Sequence, residues 1–453
     1  MNARVLALLG LVVLAACGGE PTSSNDASTA GPSSGVGGSP VPEPSSAKPV
    51  CANPESAVGP IPSARADVAG ALSPDGRELV LFGGDEAIVV CGDAPKRAHV
   101  GDTWILDTAC GGFAEVKAGV APSPRARHSM ASDPTRGRAL LFGGRHRASG
   151  ATGSYTLYGD VWSFDFVSRA WTELQTTGEA PSPRSNSAAI VAGDTLWVFG
   201  GSTSASGLSF TPKNDLHALD LETGVWRRVT PAGDLPESRL FHAFALDAAR
   251  GRAFVAFGGD ENAFVGPFFT DLYALDLATA TFTRLDAKLP AGHGFGRIKL
   301  GLAARSGEGA EPVRLLAFGG HDDVNGGSAL GNRNDVLGLD LPATGELATL
   351  GAVEWQVLRP GDTFQKPPKA QCDFPADFVT PEQMGVERRS AFAFAPTTKG
   401  DAFVVFGGDS DCGRLSDAWW YDTRTNAWTP IVESLPGLTC LRTGNPSCKS
   451  LCG

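Results

Sequence analysis

Six arginines stand at the head of similar segments: Arg65, Arg125, Arg184, Arg239, Arg297 and Arg388. A guanidinium is planar, always charged, and holds a carboxylate through two parallel hydrogen bonds. Six of them on one rim would make an anion-binding funnel, suited to a carboxylated sugar or an acidic peptide. The same recurrence suits arginines that bond carbonyls of neighbouring structural units, and the sequence does not separate the two. Nine cysteines are present: Cys17, then Cys51, Cys91, Cys110, Cys372, Cys412, Cys440, Cys448 and Cys452. In an exported chain the last eight read as disulfide candidates, with 105 pairings open. The seven histidines form no HxxxH or HExxH set, and the tail cysteines lack paired CxxC spacing. No metal site is therefore expected. There is no GxSxG, no P-loop and no dinucleotide fingerprint. No cofactor and no catalytic residue are assigned.

The arginines belong to a repeat. After each come two short apolar runs, the second ending in Gly-Gly, as in Leu79-Val80-Leu81-Phe82-Gly83-Gly84. The glycine pairs start at 83, 143, 200, 258, 319 and 407. A variable loop follows, then a strand closed by Asp: Asp107, Asp165, Asp220, Asp276, Asp340 and Asp422. Six residues later stands an aromatic: Phe113, Trp171, Trp226, Phe282 and Trp428. The fifth unit departs, with Trp355 fifteen residues on. Each unit reads as four short strands with turn signals between them. A period near 60 with four strands per unit predicts an all-β propeller of six blades. A helical reading fails because the apolar runs are short, β-rich and bracketed by Gly and Pro.

The double glycine, the Asp-terminated strand and the following aromatic resemble the kelch repeat, in six copies over about residues 61–432. The resemblance implies a closed ring in which glycines let neighbouring blades approach and aromatics pack between them. Exported sialic-acid epimerases share this architecture, which implies an alternative function as a sugar-ring isomerase or lyase using the arginine funnel. Copper oxidases of the fold need tyrosine and histidine ligands that this chain does not supply, so that chemistry is set aside.

With strands lettered a to d from the centre outward, the b–c loops and d–a connections share one face. The b–c loops are long: 85–101, 145–159, 202–214, 260–270 and 321–334. The insertion 359–386 and the six arginines map to the same side. Long loops on a rigid scaffold are the usual place for binding, so this face is expected to work. The same geometry favours a Cys372–Cys412 bond, and ring closure favours a bond from Cys51 to the tail. Cys91 with Cys110 is the sequence-local choice, but the two fall at opposite strand ends.

At the N-terminus an apolar run of ten, Val5 to Leu14, precedes Ala15-Ala16-Cys17. This resembles the lipobox of bacterial lipoproteins, and it implies a signal peptide over 1–16 and a lipid on Cys17. The residue after Cys17 is Gly18, which by the sorting rules of such proteins points to the outer membrane of a Gram-negative bacterium. Residues 17–50 are rich in Ser, Gly and Pro and read as a disordered tether. Residues 51–453 are the propeller with its Cys-rich tail. The formal charge of −11 argues against nucleic acid. The expected function is a lipid-anchored, non-enzymatic binding module of the cell envelope. A protein or polysaccharide is its partner, the membrane is touched only through the lipid, and the chain is a monomer.

Overall fold

The computed structural model describes residues 47–433, except 54–58, 87–97, 118, 149–152, 264, 294, 308, 310, 323–330, 344–346, 364–378, 380, 382–384 and 411–412. Six antiparallel four-stranded blades follow one another along the chain. Blade one holds Ala69–Leu72, Glu78–Phe82, Thr103–Asp107 and Phe113–Val116, paired in sequence order. Blade six holds Ala393–Pro396, Ala402–Ser410, Gly413–Asp422 and Ala427–Val432. Its strands b and c are the longest of the ring and carry their hairpin above the b–c face. Among the described residues no strand is exchanged between the first and last blades.

Because a lone blade is apolar on both faces, the core is divided among the interfaces. Each of six buried clusters spans two adjacent blades; the one at the seam joins Leu81, Trp104 and Phe113 to Val404, Phe406 and Trp420. The repeat aromatic packs edge-on against the Phe that closes strand b of the preceding blade, as Trp171 does on Phe82 and Trp226 on Phe142. Such aromatic pairs add about 0.5–1.5 kcal/mol beyond area burial. Trp355 fills the same place against Phe257, although a 3-10 turn at Leu347–Thr349 and a short strand at Val353–Glu354 intervene. The aromatic still reaches the interface.

The first glycine of the pair has a steric reason. A Cβ on Gly83 would stand 2.4 Å from the Arg125 carbonyl oxygen of blade two, and its φ is +63°. The adjoining Gly84 N–H donates to that same carbonyl at 2.9 Å. Equivalent bonds run from Gly144, Gly201, Gly258, Gly320 and Gly408 to Arg184, Arg239, Arg297, Arg389 and Arg65, so the last blade is tied to the first. Blade four corrects the sequence reading. There Phe257 takes the first position at φ +60°, and Gly258 is the second.

The d–a connections lap onto the outer edge of the next blade. Thr177–Gly178 pairs in parallel with Val225–Trp226, and Ala232–Gly233 with Thr281–Phe282. This covers edge strands that would otherwise present unpaired amides. The segment before blade one follows a similar course. Lys48 Nζ donates to the Ala109 carbonyl at 2.8 Å, and Cys51 is disulfide-bonded to Cys110 in the c–d turn of blade one. That bond corrects two expectations, since Cys51 does not reach the tail and Cys110 does not take Cys91. Cys17, Cys91, Cys372, Cys412, Cys440, Cys448 and Cys452 lie outside the described residues. No helix among the described residues is long and apolar enough to cross a membrane.

Candidate functional site

The repeat arginines are not the walls of a funnel. Arg65, Arg125, Arg184, Arg239 and Arg297 are at most 1% exposed. Each grips the aspartate that opens strand c of its own blade with two hydrogen bonds: Asp102, Asp160, Asp215, Asp271 and Asp335 in turn. Each also donates to the carbonyl at the end of strand b, as Arg125 does to Gly143 at 3.0 Å. The sixth member is Arg389, not Arg388. Arg389 holds Asp417 at 2.7 and 2.6 Å and the Gly407 carbonyl at 3.0 Å. Arg388 is also buried, and its Nε donates to the Asn332 carbonyl at 2.6 Å. The arginines therefore fix where strand a begins against strands b and c, and their charge is met inside the protein. Burial would raise the carboxyls of Asp102 and Asp160, but the hydrogen bonds and charges of Arg65 and Arg125 outweigh it and hold both below the usual range.

Two residues beyond each arginine the chain turns left-handed. Asp67, Arg127, Asn186, Phe241, Lys299 and Ala391 all have φ between 50° and 60°. Their backbones form a closed circle. Each N–H donates to the carbonyl of the equivalent residue in the preceding blade: Arg127 to Asp67 at 2.9 Å, Asn186 to Arg127 at 2.9 Å, Phe241 to Asn186 at 3.2 Å, Lys299 to Phe241 at 2.9 Å, Ala391 to Lys299 at 3.1 Å and Asp67 to Ala391 at 2.7 Å. This circle is the mouth of the central channel on the b–c face. Inside it lies a chamber of about 210 Å³, lined among others by His128 and His242. Burial, followed by the nearby Arg125 and Arg239 respectively, pushes both imidazoles down to about 3, so they are neutral.

Above the circle opens a vestibule of about 840 Å³. Five cations line it, Arg127, Arg145, Arg147, Lys299 and Arg414, against two carboxylates, Asp67 and Asp409. Arg145 and Arg147 come from the b–c loop of blade two and place their guanidinium carbons 3.9 and 4.2 Å from the Tyr155 ring centre. Arg414, on the raised hairpin of blade six, is paired with Asp409 and Asp85. Arg127 Nε donates to Asp67 at 2.7 Å, while its Nη1 is buried with no partner. Lys299 Nζ stands 3.4 Å from the other Asp67 oxygen. Burial pulls the Lys299 ammonium below its ordinary range, with Asp67 opposing. Leu208, 92% exposed, stands at the rim on a loop of successive Ser-capped turns.

The KLHDC2/KLHL20/DRC7 Kelch-repeats domain matches residues 84–297, and the Kelch motif matches residues 392–433. The chain carries kelch repeats in a six-bladed propeller. It is similar to acyl-CoA-binding domain-containing protein 5 of Arabidopsis thaliana, 36% identical over 138 residues, which is 29% of this chain and 20% of that protein. Host cell factor of Drosophila melanogaster is 31% identical over 190 residues, 37% of this chain and 12% of that one. The match thus spans a fifth or less of these curated relatives. The solved structure of YjhT aligns with a TM-score of 0.51 at 14% identity, covering 83% of this chain and 99% of its own, a likeness of fold.

The kelch scaffold explains what sequence reasoning missed. In four of the six units the arginine precedes the first position of the glycine pair by 18 residues: 65 to 83, 125 to 143, 239 to 257 and 389 to 407. That spacing selects Arg389 over Arg388. The vestibule cations were passed over because Arg127 and Lys299 occupy a repeat position that changes type in every blade. A fixed residue on such a scaffold holds the blade together, whereas a variable one is free to face a ligand.

Proposed function

We propose that this kelch propeller is a binding module that takes a carboxylate-bearing partner in the vestibule above its channel. Kelch propellers of the host cell factor kind support an interaction role in general terms. The observation that carries the specific reading is the vestibule lining, five cations (Arg127, Arg145, Arg147, Lys299 and Arg414) against two carboxylates, on a chain of formal charge −11. Guanidinium groups hold carboxylates through charge-assisted hydrogen bonds, which are stronger than neutral ones. Fluorescence anisotropy with a fluorescein-labelled hexaglutamate peptide tests this. Saturable binding that weakens at least tenfold in Arg127→Ala and at 0.5 M salt is expected. Equal binding by the variant overturns the reading.

A sugar-ring isomerase is the second reading, favoured by Asp67 and the histidines lying beside these cations. A general base works best with a pKa near the working pH. Burial pushes Asp67 up, but Arg127 and Lys299 together hold it well below the carboxylate range. The site thus leans towards binding. Exchange spectroscopy on N-acetylneuraminate anomers decides: acceleration by the protein supports the enzyme.

We propose that the protein sits at the cell envelope, held by a lipid on Cys17 through the 17–50 tether, as a monomer. The lipobox-like Leu14-Ala15-Ala16-Cys17 supports this. Cys17→Ser should leave the membrane fraction and lose palmitate label; a variant that still pellets and labels refutes it.

A further inference from the structure

The vestibule already contains an anion of its own. Asp67 sits in the channel-mouth circle, and its carboxylate takes the Arg127 Nε at 2.7 Å and faces Lys299 Nζ at 3.4 Å. Both cations belong to the channel-mouth circle, and their side chains are 6% and 15% exposed. Both also stand over the Phe241 ring, at 5.2 and 5.0 Å, which fixes them from the far side. The pair cannot swing away to meet a ligand elsewhere without leaving both the ring and the carboxylate. An incoming acceptor therefore meets these two cations with Asp67 already between them, alongside Arg145, Arg147 and Arg414 of the vestibule wall.

We propose that Asp67 is a specificity-determining residue that acts as a built-in competitor, weakening the vestibule for carboxylates in general so that only a ligand with further contacts is retained. The inference rests on the carboxylate-binding reading above. The backbone of Asp67 is needed for the circle, because its N–H and carbonyl both bond neighbouring blades. Its side chain is not: the equivalent positions carry Arg, Asn, Phe, Lys and Ala with the same left-handed backbone. Any polar residue that tolerates that conformation would serve the ring, and Asn does so readily. A carboxylate there instead neutralises part of the site. Other charged groups close enough to matter are Arg414, whose charge also acts on Asp67, and Asp409, which partners Arg414 at the edge. Neither carboxylate alone cancels the five cations, so an anion is still attracted, but less strongly.

The size of the effect follows from Coulomb's law. A ligand carboxylate about 6 Å from Asp67, at an effective dielectric of about 20, is repelled enough to weaken binding roughly hundredfold, and solvent in the vestibule reduces this to tenfold or more.

The test uses Asp67→Asn and, independently, Asp67→Ser in the full chain, with far-UV circular dichroism and melting to confirm the fold. Two probes separate the sources of a carboxylate: the labelled hexaglutamate peptide by anisotropy, and N-acetylneuraminate by saturation-transfer NMR. Both variants are expected to bind at least one probe ten or more times more tightly than the unmodified protein, with a smaller gap between the probes. Unchanged or weaker binding by folded variants overturns the inference while leaving the binding reading intact. Failure of the unmodified protein and both variants to bind either probe overturns the binding reading itself. Loss of the fold in both variants also overturns the inference, because Asp67 would then serve the ring and not the ligand.

Discussion

Replacing Arg389 by Ala should cost far more than replacing its neighbour Arg388, although both are buried arginines. Arg389 holds Asp417 through two charged hydrogen bonds, and the two side chains are 0% and 5% exposed. Truncation leaves Asp417 buried, with Trp419 Nε1 still donating to it at 2.8 Å. Breaking a buried ion pair from one side typically costs about 3–5 kcal/mol, because a charge stays behind uncompensated. Arg388→Ala removes a charged hydrogen bond to the Asn332 carbonyl, worth about 1.5–3 kcal/mol. An unfolding entropy of about 2.1 cal/mol/K per residue over roughly 390 residues is about 0.8 kcal/mol/K. The melting temperature should then fall by about 4–6 °C for Arg389→Ala and about 2–4 °C for Arg388→Ala, read by calorimetry. Arg389→Met combined with Asp417→Leu should recover part of the loss, since no charge is stranded. If Arg388→Ala lowers the melting temperature as much as Arg389→Ala, or the double variant is worse than the single, the assignment of Arg389 to the repeat pair is wrong.

Three further outcomes are expected. Stability should decline from about pH 6.5 downward, because His128 and His242 are held neutral with folded values of about 3 while the unfolded histidines take up protons near 6.5. Below about pH 4 the decline should steepen, as Asp102 and Asp160, depressed in the fold, begin to be protonated; melting scans from pH 3 to 8 check both limbs, and a His128→Phe, His242→Phe variant should flatten the upper one. Reducing Cys51–Cys110, which closes a separation of 59 residues, should lower the melting temperature, with an entropic ceiling of about 4 kcal/mol; an unchanged melt after complete reduction contradicts this. Arg125→Ala with Arg184→Ala and Arg239→Ala should unfold the ring, whereas Arg147→Ala should leave the melt within about 1 kcal/mol and weaken carboxylate binding.

The blades were legible because each repeat signal has a local cause. Gly83 answers a carbonyl 2.4 Å away, and Trp171 answers a Phe on the preceding blade. The sixth arginine was misread because Arg388 and Arg389 are adjacent and both are buried, and only the distance to Gly407 separates them. The disulfide was not legible, since the partner of Cys110 depends on how residues 47–53 run past the c–d turn, and no repeat governs that path. The vestibule escaped for a related reason. Arg145, Arg147 and Arg414 lie at the edges of loops whose lengths differ from blade to blade, so no periodic signal marks them.

Among the described residues no strand is exchanged at the seam, so the ring resembles, mechanically, a split washer. Blade one and blade six meet through the Leu81, Phe113 and Phe406 cluster, the Gly408 to Arg65 bond and the Asp67 to Ala391 bond. Those are the same kinds of contact found at the other five joints; the Arg414–Asp85 ion pair adds to them, and among the described residues no strand straps the seam. It is the joint where a seventh blade could be inserted by extending the chain, with no existing strand rerouted.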